Sequence, residues 1–256
     1  MKQRVPLTFE ELVAPMLPEV FKQTVLDKKP MVIRATEFKK DFFSKIVTWD
    51  EISDYVANDR AVAGLQIITP KQEKLCMEKK NLFRKNIPDW TRKEIYYEKS
   101  YVMDNWKAGG SMILTKASML TPHMSAVANA LETEFKGWAA DAHFYCSPKK
   151  NAVSFECHAD ADDNFLIHAI GSVRWQVYDV RAANERGSPR SMTLEEEKKH
   201  TPIIDTELTV GDILYIPERY FHKATPMSAR VSISVPVIKR ATPIDRNYYD
   251  FGKNNS

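Results

Sequence analysis

The spacing of polar and apolar residues in the first half of the chain predicts short helices. Thr8 with Glu11, and Thr48 with Glu51, have the spacing of a capping box, in which two side chains bind the free backbone N–H groups at the start of a helix. Pro18 suits the first turn of a further helix, because an N–H group at that position would have no partner within the helix. We therefore predict helices that begin near these three places.

Two short apolar runs in the same half are typical of buried strands. We expect Pro30 to end the helix that starts at Pro18, and Met31–Ile33 follows as an apolar run that is too short for a helix. Ser111–Leu114 has the same character. The charged, weakly periodic segment 70–100 is predicted to be a long surface excursion near the mouth of a site.

The clearest helix lies in the middle of the chain. Thr121 is a good N-cap, Pro122 follows it at the first helical position, and Gly137 is a good residue just beyond the end. The apolar residues between them recur with helical spacing, which predicts a packing helix with one buried face. That face consists of Met124, Val127, Ala128, Leu131 and Phe135.

From residue 142 onward, short strand-like runs alternate with turn signals, which favours a sandwich or jelly roll. We predict a mainly β fold with helices, whose sandwich or jelly-roll core lies at 141–240. A mostly helical N-terminal region, 1–140, wraps this core, and a tail follows at 241–256. The predicted strands are His143–Cys146, Val153–Cys157, Asn164–Ile170, Arg174–Tyr178, Glu207–Val210, Ile213–Ile216 and Arg230–Val237.

Composition limits the class of protein. The chain has 256 residues, 43% of them hydrophobic and 28% charged, as expected for one soluble domain. Its three cysteines lack C-x-x-C spacing, which disfavours a disulfide framework or zinc ribbon and favours a reducing compartment. No apolar segment follows the first charged residues, and no apolar run could span a bilayer. We expect a cytoplasmic protein without a membrane partner, with the nucleus as the alternative.

The residues that carry chemistry are an H-x-D pair and a distant histidine. His158 and Asp160 are two positions apart, so on a strand they point to the same face. Downstream, a Gly211-Asp212 turn leads into a strand that ends at Pro217, and His222 follows. Two imidazoles and one carboxylate form the facial ligand set of non-heme iron oxygenases, which leaves further positions on the metal open. Although H-x-D alone arises by chance, the combination is rare, and we predict that it binds one metal ion.

The residues around this pair resemble the JmjC-type hydroxylases. The stretch His158–Tyr178, HADADDNFLIHAIGSVRWQVY, is similar to the central strand pair of that family, and most similar to its ribosomal oxygenase (cupin-4) branch. The stretches Lys28–Ile33 and Leu131–Pro148 resemble further elements of the branch. Its members continue into a dimerisation region and a winged-helix domain, both of which we expect this chain to lack.

The resemblance implies one JmjC/cupin-like domain over residues 1–256, with a double-stranded β-helix (jelly-roll) core, and an Fe(II)- and 2-oxoglutarate-dependent oxygenase. Such an enzyme uses O2 to decarboxylate 2-oxoglutarate oxidatively and to hydroxylate a C–H bond. The implied substrate is a protein side chain, with a ribosomal protein as one candidate, while a small metabolite or tRNA stays open. The alternative class is a metal-binding cupin without 2-oxoglutarate turnover, which would act as a binding module.

One departure from the family concerns the anion site. In the family, a Lys or Arg two residues after the turn glycine usually holds the distal carboxylate of 2-oxoglutarate, whereas this chain has Val173. A buried carboxylate without a partner is unfavourable, so another cation is needed. Because side chains alternate along a strand, Arg174 points to the face opposite that of Val173. Arg230 and Ser232 lie on the strand after His222 and share one face of it. By comparison with the family, this face points into the pocket. We favour Arg230, with Arg174 or no cation as alternatives.

The resemblance also implies several polar contacts. Tyr145, Asn164 and Ser232 match polar positions that contact 2-oxoglutarate in the family. His168 stands where relatives often carry glutamine, and we predict that it faces the substrate, with a hydrogen-bonded core histidine as the alternative. Trp175 is predicted to be a packing residue.

Overall fold

The computed structural model describes residues 5–57, 65–71, 74–76, 99–115, 117–118, 120–136, 138–183 and 190–239. Most of the predicted excursion at 70–100, the predicted capping residue Gly137 and the predicted tail at 241–256 lie outside these ranges.

Short helices and many strands make up these residues. The helices are α1 Phe9–Val13, α2 Pro18–Thr24, α3 Glu37–Ser44, α4 Trp49–Ala57, α5 Lys99–Ala108, α6 Pro122–Glu134 and α7 Leu194–Glu197. The strands are β1 Met31–Ile33, β2 Leu65–Ile68, β3 Lys74–Cys76, β4 Ser111–Leu114, β5 Trp138–Ala140, β6 His143–Ser147, β7 His158–Ala159, β8 Asp163–Ile170, β9 Ser172–Arg181, β10 Pro202–Thr209, β11 Ile213–Ile216, β12 Tyr220–Pro226 and β13 Arg230–Lys239. None of the helices in the described ranges has the length and apolar character that a membrane span requires.

The predicted helix starts are confirmed. Both capping boxes form: Thr8 and Glu11 exchange hydrogen bonds at the start of α1, and Thr48 and Glu51 do so at the start of α4. The second helix begins at Pro18 but ends at Thr24, so the expectation that it runs to Pro30 was wrong. Asp27 has φ 61°, a left-handed conformation that a helix cannot continue through.

The central helix α6 is confirmed together with its buried face. The Thr121 hydroxyl accepts a hydrogen bond from the backbone N–H of Met124, which caps the helix as predicted. The five residues of the predicted stripe are all at most 9% exposed. Phe135, at the end of the helix, packs edge-on against Phe9 of α1 with ring centroids 5.0 Å apart. Phe9 also packs edge-on against Phe165 of β8, with ring centroids 6.4 Å apart, so apolar contacts hold the helical region to the sheet.

Two antiparallel sheets form the predicted jelly roll. The larger sheet has the strand order β1-β11-β8-β13-β6-β4-β2-β3, with β5 also paired to β13. The smaller has the order β10-β9-β12-β7. An apolar cluster that includes Leu166 and Leu214 of the larger sheet and Val173 and Val177 of the smaller one joins them. The mainly β double-stranded helix with added helices is thus confirmed.

The first half of the chain contributes strands as well as helices. The predicted strands Met31–Ile33 and Ser111–Leu114 are confirmed as β1, which pairs with β11, and β4, which pairs with β6. The strands β2, β3 and β5 were not predicted, because three or four residues carry too little pattern to reveal a strand. The N-terminal region therefore extends the larger sheet in addition to wrapping it.

Two strand predictions near the site need correction. Val153–Cys157 is not a strand, because Val153 donates its N–H to the carbonyl of Gly109 and accepts a hydrogen bond from Ser111 at its own carbonyl. These bonds anchor the segment as a loop. Conversely, Tyr220–Pro226 forms β12 although no strand was predicted there. The strand lies between β9 and β7 and brings His222 into the smaller sheet.

Candidate metal centre and its cavity

The structure brings the three predicted metal ligands together on the smaller sheet. His158 of β7 and His222 of β12 are direct antiparallel partners, and their ring centroids are 4.5 Å apart. Asp160 follows β7 immediately, and its carboxylate oxygens lie within 4 Å of Nε2 of both rings. Far-separated parts of the sequence thus meet because β12 returns alongside the H-x-D strand.

The distances between the ligand atoms fit one metal ion. His158 Nε2 is 3.8 Å from Oδ1 of Asp160, and His222 Nε2 is 3.6 Å from Oδ2. Two ligand atoms that each lie about 2.1 Å from one ion can be at most about 4.2 Å apart. The separations are too long for hydrogen bonds and short enough for shared coordination. A search of the described residues for His, Cys, Asp and Glu side chains close enough to share a metal ion finds these same three.

Backbone contacts prepare both imidazoles to coordinate through Nε2. His158 Nδ1 lies 2.8 Å from the carbonyl of Glu156, and His222 Nδ1 lies 2.9 Å from the carbonyl of Tyr220. Since a carbonyl only accepts, each Nδ1 carries the proton and each Nε2 presents a lone pair. Burial and, secondarily, the neighbouring His158 lower the pKa of His222 below its ordinary value. The ring is therefore neutral at neutral pH, which is the form that binds a metal.

A cavity of about 390 Å³, counted with its open mouth, adjoins the three ligands. The metal-ligand side chains differ in exposure: His222 is 3% exposed, whereas His158 is 26% and Asp160 40% exposed. The site therefore opens to solvent on the side of the H-x-D strand. The cavity is lined by Tyr145, Ser154, Phe155, His158, Asp160, Leu166, Trp175, His222, Ala224, Arg230, Ser232 and Ser234.

Arg230 is a buried cation in the wall of this cavity. It is 1% exposed, and its guanidinium contacts two hydroxyls, with Nε 3.1 Å from Ser147 Oγ and Nη2 3.5 Å from Ser154 Oγ. Burial lowers its pKa to about 10, so it stays charged. No carboxylate in the described ranges forms an ion pair with it. A buried charge whose hydrogen bonds within the described residues go to neutral hydroxyls can bind an anion from the cavity.

The alternative cation, Arg174, is engaged elsewhere. It lies on the solvent side of β9 and forms a two-pronged ion pair with Asp205, each N–O distance being 2.6 Å. Val173 next to it is fully buried in the apolar cluster between the sheets. Of the two arginines considered from the sequence, the structure directs only Arg230 towards the metal ligands.

The other predicted contacts divide into two groups. Tyr145 and Ser232 line the cavity, and burial raises the pKa of the Tyr145 phenol, which therefore keeps its proton and can donate. Asn164 does not line the cavity. Its Nδ2 donates to Oδ2 of Asp160 at 3.2 Å, and its Oδ1 accepts from Ser234 at 2.8 Å.

His168 lies behind the cavity wall. The side chain is 1% exposed, and its Nδ1 is 3.1 Å from Ser232 Oγ, while the ring is absent from the cavity lining. Burial and then the positive charge of Arg230 lower its pKa to about 4, so the ring is neutral. This position matches the alternative of a hydrogen-bonded core histidine more closely than a residue that touches the substrate.

Several residues of the site were missed from the sequence. Ser147 shares strand parity with Tyr145, which could have indicated it. Ser154 and Phe155 fall in the segment wrongly predicted as a strand. Trp175 is more than a packing residue, since it lines the cavity with its ring centroid 5.9 Å from that of His222.

Solved structures share this fold. The chain superposes on YcfD, a ribosomal oxygenase from Escherichia coli crystallised with cobalt and 2-oxoglutarate, with a TM-score of 0.60 and 16% identity. That alignment covers 90% of this chain and 53% of the other. A second structure of the E. coli protein gives the same TM-score and identity over 91% of this chain and 54% of that one. At this identity, the likeness concerns the fold.

Two curated proteins are similar in sequence. Ribosomal oxygenase 1 of Danio rerio is 22% identical over 237 residues, which cover 92% of this chain and 41% of that protein. The bifunctional lysine-specific demethylase and histidyl-hydroxylase NO66 of Dictyostelium discoideum is 29% identical over 141 residues, or 54% of this chain and 27% of that protein. The chain thus spans less than half the length of these relatives.

The JmjC domain itself matches residues 116–243, one half of the chain. This region holds the H-x-D strand, the distal histidine and the cavity between them. The chain belongs to the JmjC domain family.

Proposed function

We propose that this chain is an Fe(II)- and 2-oxoglutarate-dependent oxygenase that hydroxylates a C–H bond of a protein side chain. The observation that carries the proposal is that one cavity contains both a three-ligand metal site and a buried cation, Arg230, which has no ion-pair partner among the described residues. A metal site alone suits many roles. A metal site next to an anion-binding cation suits a co-substrate that chelates the metal with a 2-oxo acid group and ends in a carboxylate.

Different residues of the chain bind the metal and the co-substrate. His158, Asp160 and His222 would hold the metal, and all three line the cavity in which a co-substrate would reach it. Arg230 receives the distal carboxylate of 2-oxoglutarate in place of the family's usual residue. When bound, Fe(II) and 2-oxoglutarate supply the oxidation, in which O2 gives one oxygen atom to succinate, formed with loss of CO2, and one to the hydroxylated product.

The wall of the cavity orients the co-substrate and excludes water. Tyr145 and Ser232 present hydroxyl groups that can bind a carboxylate. Phe155, Leu166 and Trp175 supply apolar surface. Water exclusion strengthens the interactions of charged groups in the cavity and protects a reactive oxidant from side reactions.

The open side of the site favours a large substrate. His158 and Asp160 are partly exposed, so a side chain projecting from another protein can approach the metal from this direction. The similar proteins carry names such as ribosomal oxygenase and histidyl-hydroxylase. A ribosomal protein is therefore the first substrate to test, followed by tRNA and small metabolites.

We also propose that the protein works in a reducing compartment, the cytoplasm or the nucleus. Cys146 and Cys157 are free and buried, and burial raises the pKa of both thiols to about 12. Neither is therefore set up to exchange disulfides.

Anaerobic titration of the Fe(II)-loaded protein with 2-oxoglutarate tests this function. We expect a visible metal-to-ligand charge-transfer band that saturates with the co-substrate. Exposure to O2 with a ribosomal protein extract should then give succinate and a protein product that is heavier by one oxygen atom. Metal binding without the band would overturn the proposal and favour a binding module that has lost 2-oxoglutarate turnover.

A further inference from the structure

A chain of buried hydroxyls lies behind Arg230, on the side away from the cavity. Ser147 Oγ is 3.1 Å from Arg230 Nε and 2.8 Å from Ser111 Oγ. Ser111 Oγ is in turn 2.5 Å from the carbonyl oxygen of Val153. The two serines and the arginine are each at most 2% exposed, so bulk water does not compete for these groups.

Counting donors fixes the direction of every bond in this chain. The carbonyl of Val153 only accepts, so the single hydroxyl proton of Ser111 points to it. Ser111 Oγ then has only lone pairs left for its neighbour, and Ser147 must donate its own proton to Ser111. Ser147 therefore presents a lone pair to Arg230, whose Nε–H donates to it.

We propose that Ser111 and Ser147 are positioning residues that orient Arg230 for the distal carboxylate of the co-substrate. The inference rests on the proposed function, in which Arg230 binds 2-oxoglutarate. With Nε bonded to Ser147, the planar guanidinium is held in one orientation, and its N–H groups other than the one that contacts Ser154 can bind a ligand in the cavity. A residue held in its binding geometry before the ligand arrives loses less conformational freedom on binding.

The same chain connects the arginine to the loop that leads into the metal site. Ser111 belongs to β4 and Ser147 to β6, whereas Arg230 belongs to β13. The hydrogen bond from Ser111 to Val153 fixes the backbone next to Ser154, and Ser154 Oγ lies 3.5 Å from Nη2 of Arg230. Two sides of the guanidinium are therefore held by groups that Ser111 anchors.

Ser147→Ala is the test, because it removes one hydroxyl and adds no bulk. The probes are 2-oxoglutarate and 2-oxopentanoate, which has a methyl group in place of the distal carboxylate, titrated into Co(II)-loaded protein by calorimetry. We expect Ser147→Ala to weaken 2-oxoglutarate binding about tenfold, because the guanidinium is no longer held in its binding orientation and loses more conformational freedom when the carboxylate binds. Binding of 2-oxopentanoate and of Co(II) should stay unchanged, because neither uses Arg230.

Three further variants separate positioning from general damage. Ser147→Thr keeps the hydroxyl and should restore 2-oxoglutarate binding. Ser125→Ala changes a serine of α6 that does not line the cavity, and it should bind both probes like the wild type. Arg230→Ala combined with Ser147→Ala should bind no more weakly than Arg230→Ala alone. Should Ser147→Ala fold poorly, Ser111→Ala reports on the same chain and is expected to weaken 2-oxoglutarate selectively.

The outcomes also distinguish this inference from the proposed function. If Arg230→Ala loses 2-oxoglutarate affinity while Ser147→Ala and Ser111→Ala bind like the wild type, the positioning role is overturned and the function stands. If Ser147→Ala weakens both probes equally, Ser147 has only a structural role and the inference is again overturned. If Arg230→Ala itself binds like the wild type, the assignment of the anion site fails, and the positioning role fails with it.

Discussion

Asn164 donates a hydrogen bond from Nδ2 to Oδ2 of Asp160 at 3.2 Å, and its own Oδ1 accepts one from Ser234 at 2.8 Å. The amide thereby holds the carboxylate in one orientation and leaves Oδ1 of Asp160 free of this contact. The resemblance to the family assigned Asn164 to 2-oxoglutarate. Its geometry instead supports a role in orienting a metal ligand, a kind of outer contact that commonly governs metal affinity.

Asn164→Ala is expected to weaken metal binding by about tenfold, because loss of such an outer partner commonly costs ten- to a hundredfold. Competition of Co(II) against a chelator measures this directly. Once the protein is saturated with metal, its affinity for 2-oxoglutarate should change little. Asn129→Ala, on the exposed side of α6, is the matched control. A variant that kept wild-type metal affinity and lost 2-oxoglutarate binding would return Asn164 to the role implied by the family.

Arg230→Ala should raise the Michaelis constant for 2-oxoglutarate by ten- to a hundredfold, since a charge-assisted hydrogen bond contributes about 1.5–3 kcal/mol. Iron affinity should stay nearly unchanged. Steady-state kinetics with varied 2-oxoglutarate provides the measurement. Arg174→Ala removes an arginine of the same chain that pairs with Asp205 at the surface, and it should leave the constant unaltered. Equal behaviour of the two variants would mean that the anion site lies elsewhere.

Lys39 makes the stability of the fold depend on pH. Its side chain is fully buried, with Nζ 2.7 Å from the carbonyl of Ala14, and burial lowers its pKa from 10.5 to about 8 despite the attraction of Asp212. Between these two values the unfolded chain binds more protons than the folded one, so this residue makes the free energy of unfolding rise with pH. Lys39→Met removes that contribution.

We therefore expect the wild type to gain stability relative to Lys39→Met as the pH rises from about 7.5 to 10. Urea denaturation of both proteins at a series of pH values gives the difference in the free energy of unfolding. If the free energies of unfolding of the two proteins change in parallel across this pH range, the folded protein keeps Lys39 at its ordinary pKa.

We predict that the parts of the chain before and after residue 140 fold as one domain and not separately. The strand pairing gives the reason. A fragment that starts at Ala140 loses β1 and β4, the partners of β11 and β6, and also loses α6. Unpaired strand edges and uncovered apolar surface favour aggregation. We expect the fragment to be insoluble or to unfold without cooperativity. A soluble fragment with near-native stability would make the second half a domain of its own.

The sequence alone was sufficient wherever the deciding interaction is local. The caps at Thr8, Thr48 and Thr121 each depend on a bond to a residue three positions away, so their helix starts could be predicted correctly. Strand alternation predicted that Arg174 points away from the face of Val173, and strand parity together with the family resemblance predicted that Arg230 points into the pocket. The H-x-D pair needs only two neighbouring positions, and its resemblance to JmjC proteins indicated both the family and the jelly roll.

Tertiary structure decided what depends on distant partners. Nothing near Met31 in the sequence indicates that its strand pairs with β11, and nothing near His168 indicates that its ring contacts Ser232 instead of lining the cavity. The serines behind Arg230 come from two other strands, one of them in the half of the chain predicted to be mostly helical. The spacing of residues in the sequence indicates which face of a strand or helix a residue occupies. The neighbour it meets there is set by strand order and register, which bring residues together across long separations in the sequence.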